Sequence, residues 1–226
     1  MKILKDMWCF ANIAYEEPVS RKELVTVSAN RYGLKEPDIF ITPSNKTDYA
    51  FIAEYPNRII ISFRGTDNIR GWISDFNIYP LQELKTIHQG FYDGWLFFKP
   101  MVDQHTKLYQ EKPVFITRHS RGAAMAVLCA RHLAKNRGIT GISCIVYGCP
   151  RIGNKEFRDE YNKLPIDTTR VVNGYDLVTG LPFSAMGFRH VGKEYLFKKP
   201  IFHKWFLKIA DHLPPNYEKS FKEKKY

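Results

Sequence analysis

The chain has 226 residues and a formal net charge of +11, with 34 Lys and Arg against 23 Asp and Glu. This length fits one domain with a sizeable core, and the sequence shows no repeat, low-complexity run or Pro/Ser-rich linker that would indicate a solenoid or several modules. Lys5 and Asp6 interrupt the first apolar residues, and no apolar run approaches a membrane span. The four cysteines lie mostly in apolar segments without metal-ligand spacing, which favours reduced, buried thiols in a reducing compartment. We therefore expect a cytoplasmic or intracellular protein without signal peptide or transmembrane segment.

The N-terminal part, residues 1–44, is predicted to be helical. Apolar residues recur at helical spacing in ILKDMWCFANIAYEE, and SRKELVTVSANRYG begins with a serine cap and ends at Gly33. Two strand-like runs, DYAFIAEY and NRIIISFRG, follow as a hairpin-like pair around Pro56-Asn57. A long loop leads to a helix in FYDGWLFFKPMVDQHTKLYQ, which Pro100 should kink.

Strands and helices then alternate. PVFITRH, ISCIVYGCP and TRVVNGYD are predicted strands, whereas RGAAMAVLCARHLAKNR and NKEFRDEYNKL are predicted helices. This alternation indicates parallel β-α-β units, and therefore a single α/β domain with a doubly wound, mostly parallel sheet and helices on both faces. In such sheets the chemistry gathers at the carboxyl ends of the strands, which is where Ser120, Cys149 and Asp176 fall.

Ser120 lies between a predicted strand and a predicted helix in ITRHSRGAA, a pattern close to the G-x-S-x-G nucleophile turn. A serine hydroxyl becomes a nucleophile when a histidine accepts its proton and a carboxylate orients that histidine. Asp176 follows at a strand end and His212 on a later loop, in the order that α/β-hydrolases use. Taken alone, Ser120 is equally well explained as a helix cap. His190 is the competing base.

Six ordered segments between residues 45 and 217 resemble motifs of the class 3, or fungal-type, lipases of the α/β-hydrolase fold. They are IISFRGTDNIRGWISDF, HQGFYDGW, ITRHSRGAAMA, YGCPRIGN, RVVNGYDLVTGLP and FRHVGKEYLF. The resemblance implies a serine esterase or lipase that acts on lipid esters. It implies Ser120 as the nucleophile, Asp176 as the orienting carboxylate and His212 as the general base, with His190 structural.

The resemblance also implies an oxyanion hole formed by Thr66 and the backbone N–H of Arg121. Thr66 follows Gly65 at a strand end, where a turn can present hydrogen-bond donors. Arg118 stands where the family has glycine, and we expect it to strain the turn or to displace Ser120. The alternative to an active esterase is therefore a catalytically silent hydrolase-fold protein that binds lipid or a protein partner.

Basic residues concentrate towards the end of the sequence. Between Arg189 and Tyr226 there are ten Lys or Arg against four Asp or Glu. With the aromatic residues of segment 198–226 they suggest peripheral contact with an anionic membrane, or else a solvated tail, and no nucleic-acid-binding motif accompanies them. Residues 67–87 lie where the family carries a lid, and their apolar side chains either cover Ser120 or pack on the core. No cofactor or metal is implied.

Overall fold

A computed structural model describes residues 1–14, 38–41, 50–63, 86–197 and 207–223, with the backbone alone for 38–41, 207 and 208. Within these ranges the strands form one sheet of seven, arranged side by side in chain order. The strands are β1 (Asp38–Ile41), β2 (Ala50–Tyr55), β3 (Arg58–Phe63), β4 (Val114–His119), β5 (Ile142–Tyr147), β6 (Ile166–Val172) and β7 (Lys193–Leu196).

Helices cover both faces of this sheet. The described helices are α1 (Lys2–Ile13), α2 (Gln89–Gln104), α3 (Thr106–Glu111), α4 (Arg121–Arg137), α5 (Lys155–Tyr161), α6 (Leu207–His212) and α7 (Pro214–Glu223). Within the same ranges, no helix combines the length and the apolar character needed to cross a membrane.

The direction of the strands follows from their connections. Pro56 and Asn57 form a two-residue turn, so β2 and β3 pair antiparallel with Tyr55 opposite Arg58, as the hairpin-like pattern predicts. From β3 to β7 all neighbours are parallel, because helical or long connections return the chain to the same edge. The prediction of a mostly parallel α/β sheet with helices on both faces is therefore confirmed.

Two apolar clusters hold the layers together. On one face α2 places Phe91, Trp95, Phe98 and Val102 at helical spacing against the sheet and the small residues of α4. On the other face α1 and α7 meet, and the Trp8 ring stacks on Tyr217 with their centroids 5.3 Å apart. The two helices that are furthest apart in sequence thus share one core.

The N-terminal expectation is confirmed in part. Helix α1 forms as predicted, whereas the second predicted helix, in SRKELVTVSANRYG, lies outside the described residues. Residues 38–41 form strand β1, so a helical assignment for all of residues 1–44 is wrong. The sequence DIFI is rich in β-branched and aromatic residues and stands between Pro37 and Pro43, which disfavours helix. Helix α2 continues through Pro100 to Gln104.

Candidate active site

Ser120 occupies a sharp turn between β4 and α4. Its backbone has φ 62° and ψ −137°, and among the described residues it alone has a positive φ without being glycine. Its N–H donates to the Tyr147 carbonyl of β5 at 3.0 Å, which ties the turn to the neighbouring strand. A non-glycine residue persists in this conformation only when its surroundings hold it there, and such strain gathers at functional sites.

The structure brings Ser120, His212 and Asp176 together. The His212 Nε2 atom lies 2.8 Å from Ser120 Oγ, and His212 Nδ1 lies 2.9 Å from both Asp176 carboxylate oxygens. Because an ionised carboxylate only accepts, Nδ1–H donates to Asp176, and Nε2 accepts from the serine hydroxyl. All three side chains are buried, so this chain of hydrogen bonds is shielded from water.

Asp176 is held by two further donors that sequence analysis missed. The Val178 N–H donates to Oδ1 at 2.9 Å, and the Tyr217 hydroxyl donates to Oδ2 at 2.6 Å. Burial and the charge of Asp176 raise the pKa of Tyr217 well above its usual value, so its hydroxyl stays a donor. In the sequence Tyr217 is one apolar position of a lysine-rich helix, which gives no sign of this role.

Gly148 leaves room for the pair of His212 and Asp176. Its φ is +54°, and a Cβ atom placed on it would lie 2.8 Å from both Asp176 Oδ2 and His212 Cε1. Glycine therefore serves two needs at this position, since it adopts the left-handed conformation and allows the close approach. The signal in the sequence is the glycine of the YGCP segment, which directly follows strand β5.

His212 is the last residue of α6, so the expectation that it lies on a loop is wrong. The preceding Asp211 fastens α6 to the turn that carries Asp176: its Oδ2 accepts from the Tyr175 N–H at 2.8 Å, and its carbonyl accepts from Asn173 Nδ2 at 2.9 Å. Pro214 begins α7 instead of ending regular structure, because a first helical position needs no N–H.

Two other histidines, His119 and His190, make different contacts. The His119 ring stacks on His212, with centroids 4.5 Å apart and planes at 29°. Burial, followed by unfavourable electrostatic interactions with His212 and Arg118, lowers the pKa of His119 well below its usual value, so this ring is neutral. His190 instead places Nε2 2.9 Å from the Thr179 carbonyl, and burial with the nearby arginines lowers its pKa to about 3.

We expected Arg118 to strain the backbone of the turn, and the structure shows that it does not. The positive φ belongs to Ser120, and Ser120 keeps its 2.8 Å contact with His212. The Arg118 side chain is fully buried, fits beside Gly122 and donates to the carbonyl of Ala11 in α1. The strained conformation is therefore at Ser120 and not at Arg118, and the expectation that Arg118 strains the turn is wrong because glycine at position 122 leaves room for its side chain.

The predicted oxyanion donors are described in part. Arg121 is the first residue of α4, directly after Ser120. Thr66 and nearly all of the predicted lid, residues 67–87, lie outside the described ranges. Within those ranges no group of three or more His, Cys, Asp or Glu side chains is placed to hold a metal ion.

Curated relatives include fungal lipases. A lipase of Rhizomucor miehei is 36% identical over 149 residues, which make up 61% of this chain and 41% of that protein. A secreted mono- and diacylglycerol lipase of Fusarium solani is 32% identical over 145 residues, or 61% of this chain and 43% of that protein. The chain thus spans about two fifths of the length of these relatives.

The expectation of a cytoplasmic or intracellular location is wrong, because the fungal relatives include an enzyme named as secreted. That expectation relied in part on cysteines in a reducing compartment. Three of the four cysteines are buried, and burial raises their pKa values, for Cys149 to about 12. A buried thiol of this kind hardly ionises or reacts, so it does not indicate the redox state of a compartment.

The fold is shared with solved lipases. A triacylglycerol lipase described as having a serine protease triad at its catalytic centre superposes with a TM-score of 0.70 and 27% identity, over 88% of this chain and 80% of that one. The α/β-hydrolase fold expected from the resemblance is therefore confirmed. The family model described as lipase (class 3) matches residues 60–186, which is more than half of the sequence. This chain belongs to the class 3 lipase family.

Proposed function

We propose that this chain is a carboxylic ester hydrolase that cleaves lipid esters through a serine acyl-enzyme. The observation that carries the proposal is the buried run of hydrogen bonds from Ser120 through His212 to Asp176, with the serine on a strained turn. In this proposal Ser120 is the nucleophile, His212 the general base and Asp176 the carboxylate that fixes the histidine tautomer.

The geometry supports the following steps. As Ser120 Oγ attacks the ester carbonyl, His212 Nε2, already 2.8 Å away, takes the hydroxyl proton. The tetrahedral intermediate then collapses, and the imidazolium gives this proton to the departing alcohol. Water, deprotonated by the same nitrogen, attacks the acyl-enzyme carbonyl. The bond from the acyl carbon to Ser120 Oγ then breaks, the imidazolium returns the proton to Oγ, and the acid is released. Asp176 stabilises the imidazolium in both halves of the reaction without accepting the proton.

The oxyanion is assigned to two backbone donors. The Arg121 N–H stands at the start of α4, directly after Ser120, where the positive end of the helix dipole suits a developing negative charge. Thr66 is proposed as the second donor on the family motif. The arginine side chain at position 121 does not weaken this role, because only the main-chain N–H takes part.

A glycerolipid substrate is supported by the relatives, which are named triacylglycerol and mono- and diacylglycerol lipases. Leu213, next to His212, and Phe183 are large apolar residues that stay exposed.

We also propose peripheral contact with an anionic membrane, and the basic residues of segment 198–226 support it. Lys219 and Lys222 there pair with glutamates one helical turn away, which reduces the charge available to phosphate. A single domain over residues 1–226, which we also propose, accords with the continuous sheet.

The test compares active-site and control variants. Wild type should hydrolyse a short-chain p-nitrophenyl ester and react with a fluorophosphonate probe. The replacements Ser120→Ala, Asp176→Ala and His212→Ala should each lower kcat by about 10³-fold or more, with unchanged folding by circular dichroism. His190→Ala is the matched control and should keep its activity. A dead His190→Ala beside an active His212→Ala would move the base to His190.

An unlabelled, inactive but folded wild type would instead favour the catalytically silent alternative. Binding of the unreacted protein to glycerolipid would then be measured directly.

A further inference from the structure

We propose that Arg118 is a positioning residue that links the nucleophile turn to the C-terminal end of helix α1. The inference rests on the proposed function, since it concerns how Ser120 is held for that reaction. It assigns α1, which contributes no residue to the triad, a part in aligning the site.

The first argument is space. Arg118 lies two residues before Ser120 and is fully buried at the end of β4. A Cβ atom on Gly122 would lie 2.3 Å from Arg118 Cγ and 2.9 Å from Nε, and 3.0 Å from the Phe63 carbonyl oxygen. The arginine side chain therefore fills the space beside the first turn of α4, and it fits there because residue 122 is glycine.

The second argument is charge. A buried guanidinium is costly unless hydrogen bonds and opposite charge compensate it. Arg118 Nη1 donates to the Ala11 carbonyl, in the last turn of α1, where carbonyls lack helical partners and carry the negative end of the helix dipole. The last turn of α1 contains no basic residue of its own. Arg118 thus provides a cation where this helix end favours one.

The third argument is that α1 is itself firmly anchored. Ser62 Oγ donates to the Phe10 carbonyl and Thr117 Oγ1 to the Met7 carbonyl, each at 3.2 Å. The Tyr147 hydroxyl donates to a further α1 carbonyl, that of Leu4. Three adjacent strands therefore fix the helix along its length.

The position of Arg118 distinguishes it from these other donors. Its side chain packs against the first turn of α4, beside the Cα of Gly122, as well as donating to α1. A shift of α1 is thereby transmitted to the segment that carries Ser120 and the Arg121 N–H. The direction of both groups decides whether attack and oxyanion binding are aligned, and an error of an ångström there costs orders of magnitude in rate.

The experiment measures reactivity per folded molecule. Arg118→Met keeps much of the side-chain volume and removes the donors, and Arg118→Lys keeps the charge with a shorter reach. Thr117→Val is the matched control, because it removes a neighbouring hydrogen bond to α1 without touching the turn. Fluorophosphonate labelling rate, kcat and KM for a soluble ester, and Tm are recorded for each variant, with Ser120→Ala as the blank.

We expect Arg118→Met to lower kcat and the labelling rate about tenfold with KM changed less than twofold, and Arg118→Lys to fall between it and wild type. Thr117→Val should lower Tm alone. Wild-type reactivity in Arg118→Met, with a lower Tm as in Thr117→Val, would overturn the proposal and leave Arg118 a structural anchor. An unlabelled wild type would overturn the proposed function and this inference with it.

A double variant keeps the test decisive where Arg118→Met does not fold. Gly122→Ala should lower the labelling rate strongly in wild type, since the new methyl group would collide with Arg118. In an Arg118→Gly background the same change should cost clearly less, because the colliding side chain is gone. Equal losses in both backgrounds would show that position 118 does not act through the start of α4.

Discussion

Gly148 offers a direct way to disturb the pair of His212 and Asp176, proposed above as base and orienting carboxylate, without removing any functional group. In Gly148→Ala the new methyl carbon would start 2.8 Å from Asp176 Oδ2 and from His212 Cε1. Carbon atoms pack comfortably at about 3.5 Å or more, so the pair must move by about 0.7 Å. That shift would stretch the 2.8 Å contact between His212 and Ser120 to the edge of hydrogen bonding.

Gly148→Ala should lower both the stability of the fold and the rate of ester hydrolysis, and the two effects can be measured separately. The left-handed φ of +54° makes alanine at position 148 unfavourable by about 1–2 kcal/mol of unfolding free energy. The displaced histidine should in addition lower kcat/KM by about 30- to 100-fold, given the rate penalty for an ångström of misplacement. Hydrolysis of a soluble p-nitrophenyl ester measures the second cost, and urea unfolding measures the first.

Gly138→Ala is the matched control. Gly138 ends α4 with φ +67°, and a Cβ atom there would meet nothing within 4 Å. This variant should lose the same 1–2 kcal/mol of stability and keep its kcat/KM. If Gly148→Ala hydrolyses the ester within threefold of Gly138→Ala, the close approach of Gly148 does not position the histidine, and the reasoning is refuted.

Three further results are expected. Tyr217→Phe should lower the unfolding free energy by about 1.5–3 kcal/mol in urea, since a buried carboxylate loses a donor, and lower kcat less than tenfold because the Val178 N–H remains. The lowered pKa of His119 means that the unfolded chain binds more protons than the folded chain below about pH 6.5, so wild-type stability falls as the solution is acidified. His119→Phe should make the fall in unfolding free energy between pH 7 and pH 5 smaller, and an identical fall in both proteins would contradict this expectation. Replacing the four lysines of residues 219–225 by glutamine should weaken salt-sensitive binding to anionic vesicles and spare soluble-ester hydrolysis, whereas equal losses on both would indicate a folding defect.

The sheet and the order of the site residues could be predicted because they depend on local patterns. Apolar runs bounded by turns identify β2 to β6, and a serine between strand and helix identifies the turn at Ser120. Strand β1 could not be predicted, because its four residues are too few to show the alternating pattern of a strand and they follow segments with helical periodicity. Its pairing with β2 is a tertiary contact that no local window contains.

The surroundings of the triad were beyond sequence analysis for a related reason. Tyr217 is recognisable as a partner of Asp176 only once α7 is folded against β6 and β5, because nothing in its own segment differs from an ordinary core position. The burial of Arg118 without strain was also beyond sequence analysis, since its side chain donates to the Ala11 carbonyl at the end of α1, more than one hundred positions away. Residue types and their order can indicate a site, but the hydrogen bonds and packing that hold its side chains in place come from residues distant in sequence.

The pairing of α1 with α7 bears on how the molecule folds. Trp8 and Tyr217 stack although more than two hundred positions separate them. The core on this face of the sheet is therefore completed only when α1 and α7, the first and last described helices, have come together. Contacts of such long sequence separation are made late and slow the folding of a domain. The hydroxyl that steadies Asp176 belongs to the same late contact. In a refolding experiment, ester hydrolysis should therefore be regained after the sheet has formed and together with the burial of Trp8.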